Sequence, residues 1–379
     1  MLDTVKDFCD GFLSLGVPGF DLAVYRDGEC IIRHTNGYSD LENKVRMTGK
    51  EKYNIYSCSK SITCTAALQL WEKGLFSLED ELSLYLPEFK EMTVKTEDGI
   101  KKADNPILIK HLFEMTAGLS YATSSPSIKK CFEDTNGRCP TRETIKYIAN
   151  EPLLFEPGDR WHYSLCHDVL GALIEVISGE KFEDYLENHI FAPLGMNDTT
   201  FDPHKIQVES LAEQYRFKEG KAVNIGKNLV EYRLGRDYVS GGAGGVSTVD
   251  DYIKFLEGLR QMKLLKPETL TLMSKDRLTP HQKRTFWTEK THGYGLGVRC
   301  PKEDKIYTDF GWGGAAGAYH AVDMENGLSL YLGMHLLSSP AQGLRTLIYR
   351  LVKAVLFGTE DFSNIQKEIS ALCDYNLTY

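Results

Sequence analysis

The stretch Tyr53-Asn54-Ile55-Tyr56-Ser57-Cys58-Ser59-Lys60 runs straight into a helical pattern that carries Ile62, Ala66, Leu70 and Trp71 and stops at Gly74. If Ser57 opens the first turn, Ser57 and Lys60 lie on one helix face, one above the other. The helix N-terminus adds unpaired N–H donors and a partial positive charge beside the hydroxyl. A serine placed there is attacking group and backbone donor at once, and a lysine whose pKa burial lowers can take its proton. The S-x-x-K spacing alone is weak evidence. Ser127 and Lys130 repeat it in a stretch rich in Ser and Pro, with no helical run behind it.

Outward from that stretch, the N-terminal side reads as one amphipathic helix over residues 2–15 followed by two strands, Phe20 to Arg26 and Cys30 to His34. Asp27-Gly28 between them is a hairpin signal. On the C-terminal side, Ser77-Leu78-Glu79-Asp80 reads as a helix start and residues 92–106 as an exposed loop. Ile107 to Met115 reads as a helix, and residues 122–140 as an insertion over the surface. Two further helices are predicted over 168–177 and 182–190, and a third over 250–259, capped by Ser247 or Thr248. From Gly293 the pattern turns to strands: 293–300, 305–310, 318–323 and 328–334. Leu344, Leu347, Ile348, Leu351, Val352 and Val355 then mark a long last helix.

Strands at both chain ends with helices between them predict an α/β (α+β) fold. One central antiparallel sheet is built from both ends and flanked by helices, around a large, mostly helical insertion. The expected division is 1–56 plus 293–379 for the sheet domain and 57–292 for the helical domain, with the active site in the cleft between.

Composition narrows the function. A chain of 379 residues with a net charge of −9 carries no nucleic-acid footprint. No run approaches the length of a membrane span, and Met1 to Asp7 lacks the basic and apolar regions of a signal peptide. Nine cysteines without a C-x-x-C pair read as reduced thiols, hence a cytoplasmic setting. His162, Cys166 and His167 are close in sequence but come without a metal-binding motif, so neither a metal nor another cofactor is expected. The glycine run 241–245 lacks the phosphate-loop pattern.

Two more elements carry chemistry. Glu156-Pro157-Gly158-Asp159-Arg160-Trp161-His162-Tyr163-Ser164 sets a tyrosine just before a helix, a candidate proton carrier if a lysine is near. Phe310-Gly311-Trp312-Gly313-Gly314-Ala315 lies between strands, where glycine lets a substrate approach the backbone. The Ala315 N–H could then join that of Ser57 around a developing oxyanion. A Ser-His-Asp triad drawing on His320 and Asp323 is a further option but is not needed.

In this order the three elements resemble the serine β-lactamase-like family: class C β-lactamases, penicillin-binding DD-peptidases and related esterases. Ile109-Lys110-His111-Leu112, Thr116-Ala117-Gly118-Leu119, Leu154-Phe155-Glu156-Pro157-Gly158, Pro193-Leu194-Gly195-Met196 and Gly245-Val246-Ser247-Thr248 extend the likeness over nearly the whole chain, and its esterase branch looks most similar. The resemblance implies Ser57 as acylated nucleophile, Lys60 as the S-x-x-K lysine and Tyr163 as the tyrosine of Y-x-N. Leu165 stands where many members have Asn, which removes an amide that would orient substrate and lysine and makes that wall of the substrate site apolar. Trp312-Gly313-Gly314 stands for Lys-Thr-Gly, which removes a cation that would grip a substrate carboxylate. The implied function is a serine hydrolase that acts through an acyl-enzyme on a small ester or amide. A β-lactamase, a D-amino-acid peptidase or an acyltransferase is the alternative within the family, and a retired ligand sensor the alternative outside it. No nucleic-acid or membrane partner is expected, and the oligomeric state stays open.

Overall fold

The computed structural model describes residues 2–227, 232–302 and 307–377, with side chains to residue 370. Helix α1 (Asp3–Ser14) leads into strands β1 (Gly19–Arg26) and β2 (Glu29–Asp40), then β3 (Val45–Arg46). The β1–β2 hairpin turns at Asp27 and Gly28, both with positive φ (50° and 91°), the geometry that two-residue hairpins favour. Strands β4 (Gly293–Tyr294), β5 (Arg299–Cys300), β6 (Phe310–Gly313), β7 (Tyr319–Asp323) and β8 (Leu328–Met334) complete an eight-stranded sheet in the order β4-β5-β6-β7-β8-β1-β2-β3. Every adjacent pair in it is antiparallel. The join between chain ends is β1 against β8, running from Phe20 opposite Met334 to Arg26 opposite Leu328.

Side chains alternate across this sheet, as a strand's period of two requires. Leu22, Val24, Leu330 and Leu332 enter a core beneath α1 and α5 (Leu347–Phe357), which a further helix, Phe362–Leu377, follows, while Ala23 and Tyr331 enter the core on the opposite face. That opposite face packs α4 (Val249–Arg260), whose Tyr252 stacks on Tyr331 with ring centroids 4.1 Å apart. Thr248 caps α4 by accepting from the Asp251 N–H at 3.1 Å. Helices α2 (Ser59–Glu72) and α3 (Cys166–Ser178) fill the interior of the second core. Truncating a buried leucine such as Leu330 to alanine in a sheet packed on both faces costs about 2–5 kcal/mol.

Several elements differ from the sequence reading. After Ser77 there is no regular helix: the Asp80 carboxylate accepts from the Ser77 N–H at 2.8 Å, and the chain makes only short turns at Leu82–Leu84 and Pro87–Phe89. Thr93–Thr96 and Gly99–Lys102 pair as a hairpin where a loop was expected. A helix, Pro126–Asp134, crosses the predicted insertion, started by Ser125 and by Pro126 in its first turn. The strand expected over 293–300 is two short strands separated by a turn. The one expected over 305–310 lies partly outside the described residues.

Candidate active site

Helix α2 buries ten consecutive residues, Ser59 to Leu68, so it is a central helix and not an amphipathic surface one. Its polar side chains are accordingly paired. Ser59 Oγ accepts from the Gly245 N–H at 3.0 Å, Ser61 Oγ lies 3.0 Å from His320 Nε2, and Thr63 donates to the Gly241 carbonyl at 2.7 Å.

Ser57 sits in the tight turn Tyr56–Cys58 just before α2. Tyr53 and Asn54 pair with Ser247 and Val246, and the Ile55 N–H donates to Gly245 O at 3.0 Å. These bonds fix the approach to Ser57. Tyr56 then takes φ +47°, a conformation that costs on the order of 1 kcal/mol or more in a residue with a Cβ. Its hydroxyl is anchored on Gln214 Oε1 at 2.5 Å. Burial pushes the neighbouring Cys58 thiol up to about 12.

Three groups meet at the serine hydroxyl. Tyr163 donates to Ser57 Oγ at 2.6 Å, and Lys60 Nζ stands 3.4 Å from the same oxygen while donating to Gly242 O at 2.7 Å. Lys60 is fully buried, and its Nζ lies 4.6 Å from the centre of the Tyr163 ring. Trp312 stacks on Tyr163 with centroids 5.8 Å apart and planes 20° from parallel, and its Nε1 donates to the Tyr163 hydroxyl at 3.3 Å. Ser57, Tyr163, Trp312, Gly313, Gly314 and Ala315 all border one cavity of about 310 Å³.

Leu165 does not join them. It is buried at the start of α3, its N–H donates to Ser120 O at 3.1 Å, and its side chain borders a separate small cavity. The sequence-based view that Leu165 makes a substrate wall apolar is therefore corrected: its apolar side chain is drawn into the core. The triad option also fails. His320 is bound by Ser61 and Tyr252, while Asp323 accepts from Thr308 and Tyr349. Burial holds His320 well below its usual range. The second S-x-x-K pair does lie on a helix, against expectation, but Lys130 is exposed and paired with Asp134. Among the described residues no group of His, Cys, Asp and Glu could hold a metal ion, and no helix is long and apolar enough to cross a membrane.

Sequence reasoning missed residues on both sides. Asp168 is buried near Lys60 and accepts from Ser240 at 2.6 Å and Tyr238 at 2.9 Å. Burial raises its carboxyl, against the pull of Ser240 and Lys60. A Cβ on Gly242 would fall 2.6 Å from Asp168 Oδ2 and 3.2 Å from Lys60 Nζ, so this glycine of the 241–245 run serves close packing, not phosphate. On the sheet side Arg345 donates to Gly314 O at 2.7 Å and Ala318 O at 3.0 Å, and Arg299 pairs with Asp309 at 2.5 Å. Both line the cavity, so replacing lysine by Trp312 does not leave it without a cation. Tyr121, Tyr232 and Trp287 also line it, with no motif to mark them.

A family model described as Beta-lactamase matches residues 5–352. The chain belongs to this family. It is 28% identical over 337 residues to Esterase EstB of Burkholderia gladioli, covering 82% of this chain and 83% of that one. The solved structure of EstCE1, a hydrolase with promiscuous acyltransferase activity, superposes with a TM-score of 0.77 at 26% identity, over 92% of this chain and 97% of the other. The D-amino acid amidase of Ochrobactrum anthropi SV3 shares the fold, with a TM-score of 0.73 at 22% identity over 94% and 99%. The protein is a serine hydrolase of the β-lactamase family.

Proposed function

We propose that this hydrolase acts on small esters through an acyl-enzyme, with Ser57 as nucleophile and Lys60 and Tyr163 as its proton-transfer pair. The observation that carries the reading is the contact of Tyr163 with Ser57 Oγ at 2.6 Å, with Lys60 3.4 Å from the same atom. In the acylation step Ser57 Oγ attacks the ester carbonyl carbon, and its proton passes into the Tyr163–Lys60 pair. The carbonyl oxygen becomes an oxyanion that the N–H groups of Ser57 and Ala315 would stabilise. Collapse of the tetrahedral species breaks the bond to the alcohol, which leaves with the proton. Water then repeats the sequence on the acyl-serine, releasing the carboxylic acid. The Gly313-Gly314 backbone lets the ester approach closely, and Trp312 fixes the Tyr163 ring from the sheet side.

The esterase and amidase neighbours support a carbonyl substrate of either kind, so amide cleavage and acyl transfer to an alcohol stand as the second reading. Brief exposure to p-nitrophenyl acetate followed by intact-mass measurement tests the proposal. An acetyl adduct on the parent, absent from Ser57→Ala, is expected. An adduct that persists in Ser57→Ala would overturn it.

A further inference from the structure

We infer that the cavity over Ser57 is built to seat an aryl group of the substrate against an aromatic wall of Tyr121, Tyr163 and Trp287, an inference that rests on the esterase reading above. Six of the fifteen residues around the cavity are aromatic, against 11% of the chain, so the lining departs from the composition it was drawn from. The rings form a connected set around Tyr163. Tyr121 lies 5.3 Å from it at 32°, and Trp287 lies 4.9 Å from it at 48°. Tyr232 extends the wall from Tyr121 at 5.3 Å.

Trp287 is the informative member. It is 66% exposed, although it leans on the ring whose hydroxyl reaches the nucleophile. A tryptophan packed for stability alone would bury its surface, and an exposed one above a cavity offers a ring face to a ligand. Size agrees. About 310 Å³ is roughly twice the ~150 Å³ cavity that holds benzene, which leaves room for a ring and the scissile ester.

An aromatic box could instead hold a quaternary ammonium, but the charges around it oppose that. Lys60 Nζ already lies 4.6 Å and 5.5 Å from the Tyr163 and Tyr121 ring centres. Arg345 meets carbonyl oxygens and, among the described residues, no carboxylate. A cationic ligand would face both. A neutral aryl group faces neither and gains ring–ring contacts beyond those of an aliphatic group of equal size.

The test compares kcat/KM for p-nitrophenyl 3-phenylpropanoate and p-nitrophenyl 3-cyclohexylpropanoate, equal in length, the cyclohexyl ester being the more hydrophobic. A preference of about three- to tenfold for the aryl ester is expected, falling to about one in Trp287→Leu. Because each value is a ratio within one protein, a general loss of activity cancels. An equal or better cyclohexyl ester, or an aryl preference that survives in Trp287→Leu, would overturn the inference. Calorimetric binding of 3-phenylpropanamide and 3-cyclohexylpropanamide to Ser57→Ala reads the same preference without chemistry. Tighter aryl binding there, in a protein whose parent turns over no ester, would sink the esterase reading and leave the aryl site standing. Acetylcholine and its neutral isostere 3,3-dimethylbutyl acetate form the third pair. The neutral ester should be preferred, and a preference for acetylcholine would reverse the assignment.

Discussion

The two walls of the cleft are built by different rules. The helical wall holds Ser57 in the turn before α2 and Lys60 three residues on, in its first turn, with Tyr163 arriving on the loop before α3. The sheet wall ends β6 at Trp312-Gly313 and keeps its shape through Arg345, 31 residues further along the chain, bound to Gly314 O. In the proposed mechanism the reacting groups come from two motifs, each of short, local spacing. The proposed selectivity surface is assembled from distant segments. Changes on the helical wall should therefore act on rate, and changes on the sheet wall on the choice of substrate.

The largest effect expected is on the helical wall. Ser57→Ala should leave a folded protein with ester hydrolysis reduced by several orders of magnitude, whereas Ser127→Ala, on an exposed helix away from the cavity, should be nearly silent. Steady-state rates on p-nitrophenyl acetate decide this, and a fully active Ser57→Ala would remove the helical wall from the chemistry. Next in size, Lys60→Ala and Tyr163→Phe should each cost about a hundredfold or more in kcat. The double variant should be little worse than either alone, because one proton path is broken by each. Near-parental turnover in Tyr163→Phe would reduce that tyrosine to a packing role.

The sheet wall should answer in selectivity. Losing a charge-assisted contact to a substrate carboxylate costs roughly 1.5–3 kcal/mol, or about ten- to a hundredfold. Since Arg345 still supplies a cation to the cavity, Trp312→Lys should move the ratio of nitrocefin to p-nitrophenyl acetate turnover by the lower end, about tenfold toward nitrocefin. An unchanged ratio would mean that carboxylate selection lies elsewhere on this wall.

The contrast between the walls also sets what was legible in the sequence. The sheet from both chain ends was readable because β1, β2, β7 and β8 alternate or run apolar between clear turns, and the hairpin Thr93–Lys102 was not, because exposed, charged strands carry no burial pattern. Ser57, Lys60 and Tyr163 could be named from motifs whose spacing is local. Asp168, Arg299 and Arg345 could not, since nothing near them in sequence marks a buried charge. Leu165 misled for the same reason: its position in a motif suggested a cleft, and its apolarity took it into the core.

The smallest expected effect concerns acid, and it separates the walls by stability instead of rate. His167 lies under α2 with Nε2 3.5 Å from Cys64 Sγ, and burial, helped by the nearby Lys60 charge, lowers it to about 3. An unfolded imidazole takes up its proton near 6.5, while the folded one resists until about 3. Between those values the unfolded state binds more protons, so stability is complete above pH 6.5 and declines as the pH falls. From pH 6.5 to 5 a single group of this kind removes about 2 kcal/mol. His292, just before β4 and lowered to about 2 by burial, should add a similar slope. His167→Leu removes the first contribution only. Urea unfolding of parent and variant at pH 7 and pH 5 should show the gap between them narrowing by about 2 kcal/mol at the lower pH. A gap that stays constant would show that the histidine beneath α2 is not what makes the helical wall acid-sensitive.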